Sequence, residues 1–383
     1  MQYRNLGKTG FKTSLLGLGC MRLPFVDGDG SKGVDIESAY ELIRYAAANG
    51  INYFDTAMGY HGRESEAILG EALAGGLREK VWITTKQPPW EMHDKATIRR
   101  NLENTLKKLR TDYIDMYFLH RITPETWANI QKREIFAEFE RFKAEGLIRH
   151  IGFSYHGNYE TFPDVLARYP WEMCMVQHNL LDVNREVTEK GISLAGEHGI
   201  ALAIMEPLRG GGLCYAPEPV KVAYDSYDIQ RTPTEWAFRY LADRPEISVI
   251  TSGMSSMEQL KENIAIFSQP DMTPGCLSDA EKAVIAKARQ GYESIVTIPC
   301  TGCDYCVPCQ AGVQIPSIFG LYNDAHRFGH YDQPRRAYWF AKNAKSDARQ
   351  CINCGVCVPK CPQLIDIPKQ LQAAHEMLDG WAE

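Results

Sequence analysis

Between residues 15 and 267 the chain alternates between short apolar, β-prone runs and segments with helical apolar spacing, and nothing else in the sequence limits the fold as strongly. Candidate strands begin near residues 15, 51, 81, 113, 150, 173, 201 and 247. Candidate helices cover residues 35–49, 64–74, 95–109, 133–145, 159–169, 187–198, 234–242 and 255–267. Several of these end at a glycine suited to stopping a helix, as at Gly50, Gly146 and Gly199. Eight strands alternating with helices over this length predict an α/β fold, a (β/α)8 barrel. An open doubly wound sheet ranks below it. That fold announces itself with G-x-G-x-x-G after the first strand, and Gly17-Leu18-Gly19-Cys20-Met21-Arg22 lacks the third glycine. Ahead of the first strand, Tyr3–Leu6 and Phe11–Ser14 flank a Gly-rich turn and predict a hairpin. Residues 278–289 predict one more amphipathic helix, with Ser278 as its cap.

A chain of 383 residues exceeds what one core usually holds, so two domains are expected. Composition changes sharply after Thr297-Ile298-Pro299, which places the boundary near residue 295: a barrel over 1–294 and a second domain over 295–383. A net charge of −6 gives no basic footprint for nucleic acid. No run of 18 apolar residues occurs, so no membrane span is expected. The opening Met1-Gln2-Tyr3-Arg4-Asn5 has no apolar signal region, and the expected location is cytoplasmic.

Eight of the twelve cysteines lie after residue 299, in two tight runs. That distribution points to metal in a reducing compartment rather than to a disulfide scaffold. The first run is Cys300, Cys303, Cys306, Cys309, and the second is Cys351, Cys354, Cys357, Cys361 followed by Pro362. The second matches the bacterial [4Fe–4S] pattern, in which three closely spaced thiols wrap one cluster and the fourth ligates the other. The expected sets are therefore Cys300, Cys303, Cys306 with Cys361, and Cys351, Cys354, Cys357 with Cys309. The first run departs from the pattern, with two residues before its last cysteine and Gln310 in place of proline. Zinc bound by cysteine pairs is the competing reading. Residues 316–328 and 335–347, rich in aromatics, predict helices between the runs, and the tail resembles an α-helical ferredoxin. Cys20, Cys174, Cys214 and Cys276 stand alone and are expected to be buried structural thiols.

Three strands end in polar groups of one chemistry: Asp55, Lys86 in Thr84-Thr85-Lys86, and His120 in Phe118-Leu119-His120. Tyr60 follows Asp55 across Gly59. In a barrel these groups share the C-terminal rim, where active sites lie. Asp, Tyr, Lys and His in this order resemble the tetrad of the aldo-keto reductases. The resemblance covers about residues 1–290 through YRNLGKTG, GLG, DTAMGY, GRESE, TTK, FLH, GFS, QHN and SMEQLKEN. It implies reduction of an aldehyde or ketone with Tyr60 as proton donor. Lys86 would lower the phenol pKa, Asp55 would hold Lys86, and His120 would orient the carbonyl and stabilise charge on its oxygen.

The same resemblance implies a nicotinamide cofactor, NADPH in preference to NADH. Ser154, Gln177 and Asn179 match contacts to the nicotinamide amide. Pro207, Leu208, Arg209 and Gly210 match the loop over the pyrophosphate. Gly253, Ser255, Gln259, Glu262 and Asn263 match the adenosine end. Two departures stand out. Met205 or Glu206 takes the place of the aromatic that often stacks under the nicotinamide. No cation stands at Gly253 or Gln259 for a 2′-phosphate, which leaves Arg209 or Lys261 to serve. The partners expected are a small carbonyl substrate and, through the two [4Fe–4S] clusters, a redox protein. The clusters would act in electron transfer, sensing or structure. The alternative is a redox sensor or electron-transfer protein that keeps the barrel as a nicotinamide-binding module. Both readings face one difficulty: nicotinamide gives two electrons as a hydride, a cluster takes one, and no flavin motif is present to bridge them.

Overall fold

The structure, a computed structural model, describes residues 1–27, 32–131 and 135–380. Ten strands occur among them: β1 Tyr3–Asn5, β2 Lys12–Ser14, β3 Leu16–Gly19, β4 Tyr53–Asp55, β5 Trp82–Gln87, β6 Ile114–Ile122, β7 Ile148–Tyr155, β8 Met173–Gln177, β9 Ala201–Met205 and β10 Ile247–Ser252. Strands β3 to β10 pair in parallel, each with its neighbour in sequence, and β10 pairs with β3. The result is a closed eight-stranded barrel, so the predicted fold class holds. A helix follows each barrel strand: Ile36–Ala48, Ser65–Ala72, Lys95–Leu109, Ile135–Ala144, Phe162–Arg168, Thr188–Glu197, Pro233–Ala242 and Met257–Phe267. Arg133 and Glu134, expected to open the fourth of these, lie outside the described residues. No helix among the described residues is long and apolar enough to cross a membrane.

By their contacts these residues form two compact units, Met1–Pro207 with Ala237–Leu277, and Leu208–Trp236 with Ser278–Glu383. The division differs from a single cut near residue 295, because Leu208–Trp236 packs with the C-terminal part of the chain.

In the first unit, β1 and β2 form the expected hairpin, with Tyr3 opposite Ser14. Leu6 from its turn joins Tyr53, Trp82, Met116, Phe118, Met173, Met175 and Val249 in one buried cluster. These residues come from the hairpin and the strands, so the barrel interior is a packed core rather than a pore. Two strand glycines make room for it. A Cβ on Gly17 would meet Tyr53 and Val249 at 2.8 Å, and one on Gly152 would overlap the Phe118 ring. A buried ion pair ties β6 to the segment before β5: Arg78 Nη2 lies 2.8 Å from Asp115 Oδ2, which also accepts from the Ile83 amide at 3.0 Å.

In the second unit, helix Asp279–Ser294 begins with Ser278 as the expected cap, in a reciprocal capping box with Glu281. Helices Ile315–Phe328 and Asp332–Asn343 match the two expected between the cysteine runs, although the second starts and ends earlier than 335–347. Helices Glu218–Asp225 and Ile367–Leu378 were not anticipated, nor was Pro124–Ile130 in the first unit. The core of the cysteine-bearing part joins Ile298, Val313, Ile315, Ile318, Phe319, Tyr338, Ile365, Ile367 and Leu371.

Candidate functional site

Parallel pairing sets the C-terminal ends of β4, β5 and β6 side by side, with Asp55 opposite Thr84 and Lys86 opposite Phe118. Asp55 is the last residue of β4, Lys86 the penultimate residue of β5, and His120 stands near the end of β6. Tyr60 opens the short 3-10 turn Tyr60–Arg63. Lys86 Nζ is the hub. It donates to Asp55 Oδ1 at 2.6 Å, to the Thr56 carbonyl at 2.7 Å and to Tyr60 Oη at 3.2 Å. The edge-to-face rings of Tyr60 and His120 have centroids 6.1 Å apart, and Trp90 lies 5.8 Å from His120. The four expected residues therefore form one cluster.

Lys86 is 2 % exposed and Asp55 4 %. Burial opposes the charge on Lys86, but the Asp55 carboxylate and the Tyr60 oxygen more than offset it, and the ammonium stays protonated. Burial raises the Tyr60 phenol above its usual value while Lys86 pulls it down, and the net direction is upward. The sequence led to a lowered phenol; the buried setting outweighs the cation. Burial, then Lys86, His156 and Arg121, push His120 down to about 2, so its imidazole is neutral.

The expected cofactor contacts are placed unevenly. At the end of β7, Ser154 Oγ accepts from the Arg121 amide at 2.7 Å. Gln177 and Asn179 donate to Asp182 Oδ2 at 3.1 and 2.9 Å. Asn179 also donates to the Glu206 carbonyl and accepts from the amides of Leu181 and Asp182, so its carboxamide organises the turn after β8. Beyond β10, the Ser255 amide donates to Gln259 Oε1 at 2.9 Å, and the buried Asn263 donates to Ser252 Oγ at 3.3 Å. Glu262 is exposed. Gly253 has the Arg22 side chain beside it, 3.0 Å from where a Cβ would stand, and Arg22 pairs with Glu206 at 3.5 Å. Pro207 ends the first segment of its unit, whereas Leu208, Arg209 and Gly210 belong to the second unit. There Arg209 Nη2 lies 3.1 Å from Asp324 Oδ2.

Sequence reasoning missed Glu186. It sits on the loop after β8 with a left-handed backbone, φ 51°. Its Oε1 is 3.8 Å from His156 Nδ1. Its Oε2 is buried with no hydrogen-bond partner. Burial pushes this carboxyl up to about 7; Arg185 draws it down, and Asp182 and Glu206 push it further up. A single Glu in a loop carries no pattern that could have marked it.

In the second unit, Cys300, Cys303, Cys306 and Cys361 line one cavity with Pro316, Phe319 and Ile365. The Cys357 thiol is raised by burial and by the nearby Cys351, Cys354 and Cys309. Cys361 thus shares a cavity with three cysteines of the first run, and Cys309 lies near Cys357, although Cys306 also has Cys357 for a neighbour. No three His, Cys, Asp or Glu among the described residues are close enough to hold a single metal ion. Four thiols around one cavity suit a metal centre, whether zinc or an iron–sulfur cluster. Of the isolated cysteines, Cys20 and Cys174 are buried as expected; Cys214 and Cys276 are only partly so.

The "Aldo/keto reductase family" model matches residues 15–274, and the "4Fe-4S dicluster domain" model matches 299–366. An uncharacterized oxidoreductase of Bacillus subtilis, YqkF, is 30 % identical over 297 residues, which are 69 % of this chain and 90 % of that protein. Among solved structures, the holo form of aldo-keto reductase AKR11C1 from Bacillus halodurans is 28 % identical with a TM-score of 0.63, covering 75 % of this chain and 96 % of that one. A thermostable aldo-keto reductase, Tm1743, solved with the inhibitor epalrestat, is 27 % identical with a TM-score of 0.63, covering 75 % and 100 %.

Proposed function

Because the chain belongs to the aldo/keto reductase family and carries a 4Fe-4S dicluster domain, we propose that it reduces an aldehyde or ketone at the mouth of the barrel. A dihydronicotinamide, NADPH before NADH, would supply the hydride for the carbonyl carbon when bound. Tyr60 gives its phenol proton to the carbonyl oxygen, and a proton from water restores it, so the product is the alcohol. Lys86 donates to Tyr60 Oη and stabilises the phenolate left behind. Asp55 balances the charge of Lys86 and fixes its position. His120, neutral, donates a hydrogen bond to the carbonyl and aims it at Tyr60. Ser154 and Gln177 would hold the nicotinamide amide, and Gly253, Ser255 and Gln259 the adenosine end.

The observation that carries this reading is the contact of Lys86 Nζ with both Asp55 and Tyr60 inside a buried cluster at three strand ends. The sets of cysteines around Cys361 and Cys309 would hold two [4Fe–4S] clusters, which supply one-electron chemistry when bound. The test is Tyr60→Phe with NADPH and a panel of simple aldehydes. Loss of the proton donor should cut kcat by about 10²- to 10⁴-fold with cofactor affinity retained. Undiminished turnover would remove Tyr60 from the role and favour the nicotinamide-binding redox sensor.

A further inference from the structure

Tyr60 is followed by a backbone that its sequence does not favour. His61, Gly62 and Arg63 lie in the left-handed region, at φ 49°, 61° and 78°. Glycine tolerates that region, whereas His and Arg hold it only where their surroundings fix it. Arg63 is fixed from two sides: its Nη2 donates to Glu91 Oε1 at 2.5 Å, and its carbonyl accepts from Lys108 Nζ at 2.9 Å. His61 is fixed by the segment that leaves the short turn Cys20–Arg22 after β3. The Leu23 amide donates to His61 Nε2 at 3.3 Å, and the Phe25 ring stands edge-on to the imidazole with centroids 5.3 Å apart. Leu23 is fully buried, so its amide needs an acceptor inside the protein, and Nε2 serves. An accepting Nε2 places the ring proton on Nδ1. A second bond ties the same two segments, from Ser65 Oγ to the Cys20 carbonyl at 3.0 Å. In sequence His61 falls between DTAMGY and GRESE and belongs to neither.

We propose that His61 is a positioning residue for the proton donor: by accepting from the Leu23 amide it holds the left-handed turn that sets Tyr60 Oη 3.2 Å from Lys86 Nζ. The proposal rests on the reading of Tyr60 as that donor. At its phenol end Tyr60 meets the groups whose chemistry it shares. The Lys86 ammonium lies 4.8 Å from its ring centroid, and the His120 ring 6.1 Å. Its backbone end is set by the turn. Upstream, the Tyr60 amide donates to the Ala57 carbonyl at 3.1 Å; downstream, the chain direction depends on the left-handed run that His61 opens. Without the imidazole the Leu23 amide loses its acceptor, and the residue after Tyr60 is free to relax toward right-handed values. Tyr60 then shifts against Lys86 and against the carbonyl it protonates. A misplacement of about 1 Å in a reacting group costs up to about 100-fold in rate. His61 itself exchanges no proton with the substrate; it acts through Tyr60.

The test uses NADPH and a simple aldehyde with His61→Gly, His61→Leu, His61→Gln and Tyr60→Phe, and with His61→Leu added to Tyr60→Phe. Glycine suits the left-handed backbone but supplies no acceptor, while the carboxamide oxygen of glutamine reaches as far as Nε2 and accepts as it does. In His61→Gly and His61→Leu kcat should fall by about 10- to 100-fold, with NADPH affinity, read by fluorescence quenching, unchanged. His61→Gln should keep most of the wild-type kcat. Proton delivery becomes slower in His61→Leu, so the solvent deuterium isotope effect on kcat should rise, which a loss of folded protein would not produce. Added to Tyr60→Phe, His61→Leu should cost nothing further, because no donor is left to position. Wild-type kcat in His61→Gly overturns the proposal, since the backbone conformation alone would then suffice. A glutamine variant as slow as the leucine variant, or a further loss in the double variant, overturns it too, and all three results leave the reductase reading intact. Wild-type turnover in Tyr60→Phe instead removes the donor on which the proposal rests, and the proposal with it. His61→Gly decides the matter even if His61→Leu does not fold.

Discussion

Lys86 Nζ lies 2.6 Å from Asp55 Oδ1, and the two side chains are only 1 % and 5 % exposed. Breaking a buried pair from one side leaves an uncompensated charge, which typically costs about 3–5 kcal/mol. Lys86→Met alone should therefore destabilise the fold by roughly that amount in urea titrations. Adding Asp55→Leu removes the stranded carboxylate and should restore more than half of the loss, although both variants are catalytically impaired. Equal stability of the single and double variants would mean that water screens the pair.

The ionisation states at the same cluster set the pH profile. Tyr60 acts protonated, and its phenol is raised by burial against the pull of Lys86. His120 acts neutral, and its imidazole is pushed down to about 2. Neither group titrates near neutrality, so kcat for reduction should be flat between about pH 6 and 9 and fall only as the phenol loses its proton above that. The measurement is kcat at saturating cofactor across this range with an aldehyde lacking a hydroxyl. A decline on the alkaline side beginning near pH 7 would mean that Lys86 lowers the phenol after all, as the chemistry of the isolated pair suggests.

The course of the backbone was more legible than the site it builds. Strand starts expected near 15, 81, 113, 173, 201 and 247 fall within a residue of Leu16, Trp82, Ile114, Met173, Ala201 and Ile247, because apolar runs bounded by glycine and polar residues are local signals. Asp55, Lys86 and His120 could be aligned for the same reason: each closes such a run. Glu186 had no local mark. Its significance lies in a missing partner, which is a property of three-dimensional surroundings. Nor did the sequence distinguish the net direction at Tyr60, since the cation is local while the burial depends on the whole rim. The family resemblance matched Arg209 to the loop over the pyrophosphate; that it also pairs with Asp324, 115 positions away, had no local mark. The helix Glu218–Asp225 was missed within Leu208–Trp236, the insertion whose contacts are with Ser278–Glu383.

Glu172, next to β8, gives a stability prediction in acid. Burial pushes its carboxyl up, but His150 Nδ1 at 2.6 Å, the Ile151 amide at 3.0 Å and Lys143 Nζ at 3.0 Å bring it down to about 2. A folded-state value below the usual 4.5 stabilises the fold above 4.5, and the benefit is lost as pH falls toward about 2. With the side chain 24 % exposed, the contribution at pH 7 is about 2–3 kcal/mol, somewhat below the full linkage value. Glu172→Gln should lower stability by that amount at pH 7, and the gap should close between pH 4.5 and 2. A gap that stays constant with pH would assign the effect to shape rather than charge.

The two cysteine sets make a prediction about pairs of mutations. Cys361 lines the cavity of Cys300, Cys303 and Cys306 despite lying in the second run, while Cys309 neighbours the Cys357 thiol. If each set holds its own cluster, Cys361→Ser and Cys300→Ser damage the same one. Iron per chain in anaerobically purified protein should fall by about half in either variant, and by no more in the double variant. Cys361→Ser combined with Cys354→Ser strikes both sets and should remove nearly all of the iron and the visible absorbance near 400 nm. Because Cys300, Cys306, Cys309, Cys351, Cys357 and Cys361 pack against the core around Phe319 and Tyr338, that double variant should also lose helical signal and become protease-sensitive after residue 295. If Cys361→Ser with Cys354→Ser loses no more iron than Cys361→Ser alone, the ligands do not cross between the runs. Stoichiometric zinc in place of iron, in protein isolated without oxygen, would overturn the cluster assignment altogether.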